Sequence, residues 1–138
     1  MKDNLSAAKE HLKSGGFTLV LCRGETVISS KDRGVKPLVE LIDNGIDTEG
    51  FSAADKVVGK AAAMLYCILK VREVYAPVMS KMAILTLKKH GINALYDEKA
   101  DYIINRAKTG ICPMEQTVKD TDNPEEAFAA IKERLKTL

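Results

Sequence analysis

The chain has 138 residues, a length typical of one domain, and we expect residues 1–138 to form a single unit. Its 21 Lys and Arg against 19 Asp and Glu leave a net charge of +2, too weak a field to recruit nucleic acid or an anionic membrane. The sequence contains no Trp and few other aromatic residues, so it offers no platform on which single-stranded bases would stack.

No segment of the sequence is typical of export or of a membrane span. The chain starts with a polar amphipathic pattern rather than with the apolar run of a signal peptide. Its longest apolar stretch, Ala61 to Leu69, is well short of the ~20 residues that cross a bilayer. We therefore expect a cytoplasmic protein with no membrane partner.

The cysteines and histidines indicate neither a disulfide scaffold nor a metal centre. Cys22, Cys67 and Cys112 are far apart and odd in number, and no Cys-x-x-Cys occurs, which fits a reducing compartment. His11 and His90 are not spaced as a pair of ligands on one helix. We predict no metal site and no cofactor.

The first part of the chain predicts two helices that flank a β-hairpin. In chain order these elements are a helix over Leu5–Lys13, strands over Phe17–Cys22 and Thr26–Ser30, and a helix over Val35–Asp43. A turn at Gly24 joins the two strands in antiparallel fashion, and Pro37 suits the first turn of the second helix.

The second part of the chain predicts alternating helices and strands. The strongest pattern is a helix from about Ala53 to Lys70, where apolar residues recur every three or four positions. The elements that follow are a strand over Glu73–Val78, a helix over Lys81–Lys89 with Ser80 as its N-cap, a strand over Ile92–Tyr96, a short helix over Asp97–Arg106, a loop or helix start over Ile111–Glu115, and a C-terminal helix opened by Asn123 and Pro124.

This order of elements predicts a three-layer α/β/α sandwich. The mixed sheet would open with the N-terminal hairpin, and helices would cover both of its faces. The strand–helix–strand unit from Glu73 to Tyr96 should be parallel.

Several segments resemble a small prokaryotic family of unknown function. They are Ala54-Asp55-Lys56-Val57-Val58-Gly59-Lys60-Ala61-Ala62-Ala63, Val74-Tyr75-Ala76-Pro77-Val78-Met79-Ser80, Asn105-Arg106 and Cys112-Pro113-Met114-Glu115. The resemblance covers nearly the whole chain. Known members of that family have a cytidine-deaminase-like fold, so the resemblance implies such a fold here.

The resemblance does not extend to the zinc ligands of deaminases. Their fold normally places zinc where two helices begin, one carrying His-x-Glu or Cys-x-Glu and the next Pro-Cys-x-x-Cys. Here the matching positions lie near Ala53, with no His or Cys, and after Pro77, where Val78 and Lys81 stand in place of the cysteines. Neither side chain replaces a thiolate, so zinc-dependent deamination is disfavoured.

The implied fold places the starts of the two middle helices side by side at one crevice. The residues expected there are Asp55, Lys56, Ser80 and Lys81, with Lys60 one turn beyond Lys56. Lysines and helix N-termini together suit a phosphate or carboxylate. In a purely structural interpretation, Asp55 favours a helical first turn, Ser80 is only an N-cap and the lysines are solvated.

A second group of candidates lies in the last third of the chain. The thiolate of Cys112 would be stabilised near a helix start, with Glu115 as a base or an orienting group; the alternative is a buried free thiol beside a capping Glu. Arg106 is a candidate for bidentate recognition of a phosphate or carboxylate, or for an internal ion pair.

Two functional hypotheses follow. The first is a zinc-free protein of deaminase fold that binds a small anionic ligand, such as a nucleotide derivative, at the paired helix N-termini. Any chemistry would use Asp55 or Glu115 as general base and Cys112 as nucleophile. The second is a non-catalytic interaction or regulatory module that acts as a homo-oligomer, in the simplest case a dimer. A metal-dependent enzyme with unfamiliar ligands is a third, smaller possibility.

Overall fold

The computed structural model of the chain describes residues 3–32, 34–104 and 110–137. Within these residues the strands are β1 (Leu19–Arg23), β2 (Thr26–Ser30), β3 (Ser52–Asp55), β4 (Val57–Val58), β5 (Glu73–Ser80) and β6 (Asn93–Ala100). The helices are α1 (Asn4–Ser14), α2 (Lys36–Asp43), α3 (Lys60–Leu69), α4 (Lys81–Lys89), α5 (Pro113–Val118) and α6 (Pro124–Leu135).

The strands form one mixed sheet. β1 pairs antiparallel with β2 on one side and with β3 on the other. β5 pairs parallel with β3 and then β4 along one edge, and with β6 along the opposite edge. The predicted hairpin and the parallel β5–α4–β6 unit are therefore confirmed.

Side chains that alternate along the central strands build a separate core on each face of the sheet. The face covered by α1 buries Ala8, Leu12, Val20, Cys22, Ala54 and Tyr75. The neighbouring strand residues point the other way and join the larger core beneath the remaining helices, as do Leu19, Leu21, Ala53 and Val74. The chain is thus a mixed α/β protein with helices on both faces of its sheet.

Several predicted helix ends are confirmed by their caps. The Ser80 hydroxyl accepts a hydrogen bond from the Ala83 N–H at 3.1 Å, and the Asn123 side chain accepts one from the Glu126 N–H at 3.1 Å. The segment around Cys112 is the start of a helix, since α5 begins at Pro113. No helix within the described ranges is both long enough and apolar enough to cross a bilayer.

The helix predicted from about Ala53 begins only at Lys60. Residues 52–55 and 57–58 are strands, and Gly59 is the N-cap of α3. Ala53 and Ala54 are fully buried on opposite faces of the sheet. Pairing with β1 and β5 therefore outweighs the high helix propensity of alanine, because intrinsic propensity is a weak preference against tertiary context.

The short helix predicted from Asp97 is wrong where the structure describes it. Residues 97–100 instead extend β6, which pairs with β5 as far as Ala100. β6 lies at the edge of the sheet, where charged residues are common, so the polar Asp97-Glu98-Lys99 run is no obstacle to a strand. Arg106 lies outside the described residues, and the role predicted for it stays a prediction.

Two leucines of α4 offer a matched test of how this helix packs against the larger core. Leu87 is fully buried, whereas Leu85 is 60% exposed on the same helix. We expect Leu87→Ala to lower the free energy of unfolding by about 3 kcal/mol, because it leaves a cavity in the core. Leu85→Ala should change it by less than about 0.5 kcal/mol. Urea denaturation measures both, and equal effects would contradict the placement of α4.

Candidate functional site

A pocket of about 410 Å³ opens where β3 ends and α3 begins. We call it the Asp55 pocket. Its walls are largely apolar and include Leu19, Val35, Val57, Ala62, Ile103 and Met114. Side chains with polar atoms or a thiol also line it, namely Thr18, Asp55, Lys56, Cys112 and Glu115. The break between β3 and β4, the N-terminus of α3 and the start of α5 therefore meet at this pocket.

Glu115 of α5 closes the N-terminus of α3. Its Oε1 accepts a hydrogen bond from the Lys60 N–H at 2.7 Å, and its Oε2 accepts one from the Ala61 N–H at 2.8 Å. These N–H groups belong to the first turn of a helix and have no partner within it. The positive end of the α3 dipole is thus neutralised by a carboxylate of the protein itself.

Gly59 leaves the space that this carboxylate occupies. A Cβ atom at position 59 would overlap the carboxylate group of Glu115. The φ angle of Gly59, −104°, is open to any residue, so backbone conformation does not require glycine there. The requirement is therefore the close approach of Glu115.

Lys60 makes the reciprocal contact between the same two helices. Its side chain is buried, and its Nζ donates a hydrogen bond at 3.0 Å to the carbonyl of Lys119, the C-cap of α5. The Nζ also lies 3.8 Å from the exposed carboxylate of Asp122. The ammonium group is thus bonded to the end of α5, and Lys60 does not line the Asp55 pocket.

Asp55 occupies the pocket at the end of β3. Its Oδ2 accepts a hydrogen bond at 2.7 Å from the hydroxyl of Tyr66, a fully buried residue of α3. Burial raises the pKa of Asp55 to about 7, although hydrogen bonds from Tyr66 and from the N–H groups of Lys56 and Val57 oppose the rise. Near neutral pH the carboxyl group is therefore divided between its neutral and charged forms.

The neighbouring ionisable groups respond to the same desolvation. Burial and the Asp55 charge hold the pKa of Tyr66 well above its ordinary value, so its hydroxyl stays protonated and donates. Burial also raises the pKa of Glu115, against the opposing effect of the two α3 N–H groups and the Lys60 charge. The dry surroundings, rather than charge pairing, dominate the acid chemistry of this pocket.

Two further predicted residues reach the pocket. Cys112 is half-buried at the N-cap of α5, and its backbone N–H donates to the Ile103 carbonyl at 2.9 Å. Lys56 is exposed in the break between β3 and β4. The structure thus brings Asp55, Lys56, Cys112 and Glu115 together around one cavity.

Ser80 and Lys81 do not line this cavity. Ser80 is buried as the N-cap of α4. Lys81 is exposed, and its Nζ lies 2.7 Å from a carboxylate oxygen of Asp101. The expected crevice between two helix starts rested on a helix beginning at Ala53. Because that segment is a strand, Asp55 and Lys56 reach the pocket from the end of β3 instead.

Tyr66 and Gly59 also contribute to the site, and these contributions were not predicted from the sequence. Tyr66 lies within an apolar helical pattern and reads as a core residue, and its Asp55 partner is 11 residues away. One signal was available, since a buried tyrosine hydroxyl needs a hydrogen-bond partner. The contact of Gly59 with Glu115 joins segments more than 50 residues apart and has no local signature.

The positions matched to deaminase zinc ligands hold neither thiolate nor imidazole. Val78 lies within β5 and Lys81 is the first residue of α4. Over the described parts of the chain, no three His, Cys, Asp or Glu side chains cluster closely enough to hold a metal ion.

The fold and the pocket define a single-sheet α/β protein with a cavity of small-molecule size. Residues 7–135 match the TM1506 family, described as a domain of unknown function (DUF1893), and the chain belongs to this family. It is similar to the crystal structure of a DUF1893 family protein (TM1506) from Thermotoga maritima, with a TM-score of 0.86 and 34% identity over 97% of this chain and 92% of that one. No curated protein matches the sequence significantly.

The contact between Glu115 and α3 predicts strong coupling between two substitutions. Gly59→Ala and Glu115→Ala should each lower the free energy of unfolding by about 2 kcal/mol, because either change removes the hydrogen bonds to the first turn of α3. The double variant should lose little more than either single variant, since the same contact is lost once. Urea denaturation of the four proteins measures this coupling.

Gly110→Ala is the control for that cycle. A Cβ atom there meets nothing within 4 Å, so its effect should stay within about 0.5 kcal/mol. Additive effects of Gly59→Ala and Glu115→Ala would show that the two residues do not share a contact.

The raised pKa of Asp55 predicts a loss of stability between about pH 4 and about pH 7. In this range the folded protein retains a proton that the unfolded chain, with an aspartate pKa near 3.8, has released. The free energy of unfolding therefore falls as the pH rises and levels off above the folded pKa. Asp55→Asn removes this contribution, so the variant should gain stability relative to the wild type as the pH increases.

Urea unfolding at a series of pH values tests this expectation. Glu115 has a raised pKa too, but it is present in both proteins and cancels in the difference. Asp120→Asn, the same substitution at an exposed site, is the control for the loss of one carboxyl group. Parallel profiles for the wild type and Asp55→Asn would contradict the raised pKa.

Proposed function

We propose that this protein binds a small organic molecule in the Asp55 pocket. The observation that carries the proposal is a largely apolar cavity of about 410 Å³ that holds the carboxyl groups of Asp55 and Glu115. Small-molecule sites are typically concave and mostly apolar, with a few fixed polar groups that orient the ligand. The hydrogen bonds of both carboxyl groups hold them in place before any ligand arrives.

The geometry favours a different mode of binding from an anion at paired helix N-termini. The N–H groups of Lys60 and Ala61 at the start of α3 are already bonded to Glu115. At the start of α4, Ser80 caps the helix and Lys81 pairs with Asp101. Both helix starts therefore have partners of their own, and the pocket between β3 and α5 is the better candidate.

Of the three predicted catalytic residues, Asp55 is best suited to act as a general base. A base is most effective when its pKa lies near the working pH, and the pKa of Asp55 is raised to about 7. Both oxygens of Glu115 hold the first turn of α3, which suits a positioning role. Cys112 as a nucleophile has support from its place in the pocket lining.

We also propose that the fold is cytidine-deaminase-like, as the resemblance implies. Support comes from the element order, a leading antiparallel hairpin followed by parallel strands joined by helices. Fold alone does not determine the reaction, and Val78 and Lys81 stand where a deaminase needs thiolates. A zinc-free binding protein is the version of this proposal that the residues favour.

A homo-oligomeric interaction module is the second candidate. It is favoured by large apolar side chains that are exposed in the single chain, namely Val27, Ile46, Val57, Met82, Leu85, Leu95, Tyr96, Tyr102, Ile104 and Ile111. Exposed apolar surface often marks a protein–protein contact. Light scattering that finds a monomer at micromolar concentration would remove this candidate.

A pocket-filling substitution tests the proposed function. Ala62 lines the pocket and is almost fully buried, so Ala62→Leu should place new side-chain atoms in the cavity. A fragment screen by NMR should find ligands that bind the wild type and bind Ala62→Leu at least tenfold more weakly, because the cavity is blocked. Ala129→Leu, at an exposed position of α6, is the matched control and should bind as the wild type does. Two results would contradict the proposal: fragments that bind all three proteins equally, or a screen that finds no fragment that binds the wild type.

A further inference from the structure

The charged groups of the Asp55 pocket point to one chemical class of ligand. Resting on the proposed small-molecule function, we propose that the ligand carries a cationic nitrogen group, an amidinium, guanidinium or ammonium, on a small apolar body. The cation would lie against the carboxylate of Asp55, within reach of the Glu115 side of the cavity, and the body would fill the apolar remainder.

The described lining of the pocket is more acidic than basic. Among the described residues that line the pocket, the acids are Asp55 and Glu115 and the single cation is the exposed Lys56. Lys60 is close in sequence, but its ammonium group is bonded to the Lys119 carbonyl and lies near Asp122. The Glu115 charge is balanced by the first turn of α3 and by Lys60, which leaves Asp55 without a buried counter-charge among the described lining residues.

The described donors that an anion would need already have partners within the protein. The first-turn N–H groups of α3 are bonded to Glu115, and the Lys56 N–H donates to the Thr18 carbonyl at 3.2 Å. The Thr18 hydroxyl lies within hydrogen-bond distance of the Ser30 and Asp32 carbonyls, and the Tyr66 hydroxyl donates to Asp55. An anion entering here would meet two carboxyl groups and no free N–H among these donors.

The Glu115 carboxylate can accept further hydrogen bonds. Each Glu115 oxygen accepts a hydrogen bond from one N–H group of α3, and a carboxylate oxygen can accept two. In dry surroundings a carboxylate without a counter-charge is unfavourable, and a bound cation removes that penalty. Such a ligand would stabilise the charged form of Asp55 and gain affinity from doing so.

Matched probes of opposite charge test the inference. The cations are benzamidine and benzylamine, their anionic counterparts are benzoate and phenylacetate, and the neutral controls are benzamide and benzyl alcohol. We expect NMR titration at pH 8 to show the cations binding at least about tenfold more tightly than the anions, with binding lost in Ala62→Leu.

Charge-changing variants locate the effect. Asp55→Asn should weaken benzamidine about tenfold, because it removes the counter-charge while keeping an oxygen to accept from Tyr66. Lys56→Met should strengthen cation binding, because it removes a positive charge from the pocket lining. The matched controls Asp120→Asn and Lys89→Met, both at exposed sites, should bind as the wild type does.

The remaining outcomes separate the two proposals. Tighter binding of benzoate and phenylacetate, weakened by Lys56→Met or by Arg106→Met, would overturn the cationic ligand and leave the small-molecule pocket standing. If only the neutral probes bind, and Ala62→Leu weakens their binding, the cationic ligand is likewise overturned and the small-molecule pocket stands. Binding by no probe, together with an empty fragment screen, would overturn both proposals.

Discussion

The carboxylate of Glu115 on the first turn of α3 is the contact on which the arrangement of this protein depends. It joins α3 to α5 through Lys60 and Glu115, which are 55 positions apart in the chain, and Gly59 must remain without a side chain to allow it. Lys60 completes the arrangement from the other direction, by holding the C-terminal end of α5. Each helix thus supplies the charge that the end of the other requires, and together they form one wall of the Asp55 pocket.

This contact also decides what kind of chemistry the pocket offers. A helix N-terminus beside a cavity would ordinarily favour an anion. Here the protein supplies the anion itself, as the Glu115 carboxylate. The dipole of α3 is therefore already neutralised within the fold, and the cavity has acidic groups among apolar walls. The same desolvation raises the pKa of Asp55, whose carboxyl group accepts a hydrogen bond from the Tyr66 hydroxyl. The proposed preference for a cationic nitrogen group follows from this combination.

Local signals in the sequence predicted the elements whose ends are set by local interactions. The hairpin, α2, α4 and α6 follow from turn residues, prolines and the capping side chains of Ser80 and Asn123. The segment around Ala53 could not be predicted in this way, because small residues fit both a helix and a strand buried on two faces. Its strand conformation is decided by pairing with β1 and β5, which are distant in sequence.

The candidate site shows the same division. Asp55, Lys56, Cys112 and Glu115 were predicted from residue type and resemblance, and the structure gathers them at one cavity. Their partners Tyr66 and Gly59 were not predicted, because Tyr66 resembles an ordinary core residue and Gly59 resembles an ordinary packing glycine. The expected meeting of two helix starts depended on a helix that begins near Ala53, but residues Ser52–Asp55 form a strand.

The most direct measurement is a phosphate titration followed through the backbone amide signals of Lys60 and Ala61. We expect these signals in the wild type to stay unchanged up to several millimolar phosphate, because the N–H groups are already bonded to Glu115. In Glu115→Ala the same signals should shift, since the first turn of α3 is then open to an anion. Saturable shifts in the wild type would show that the N–H groups at the start of α3 are free, and would contradict the contact with Glu115.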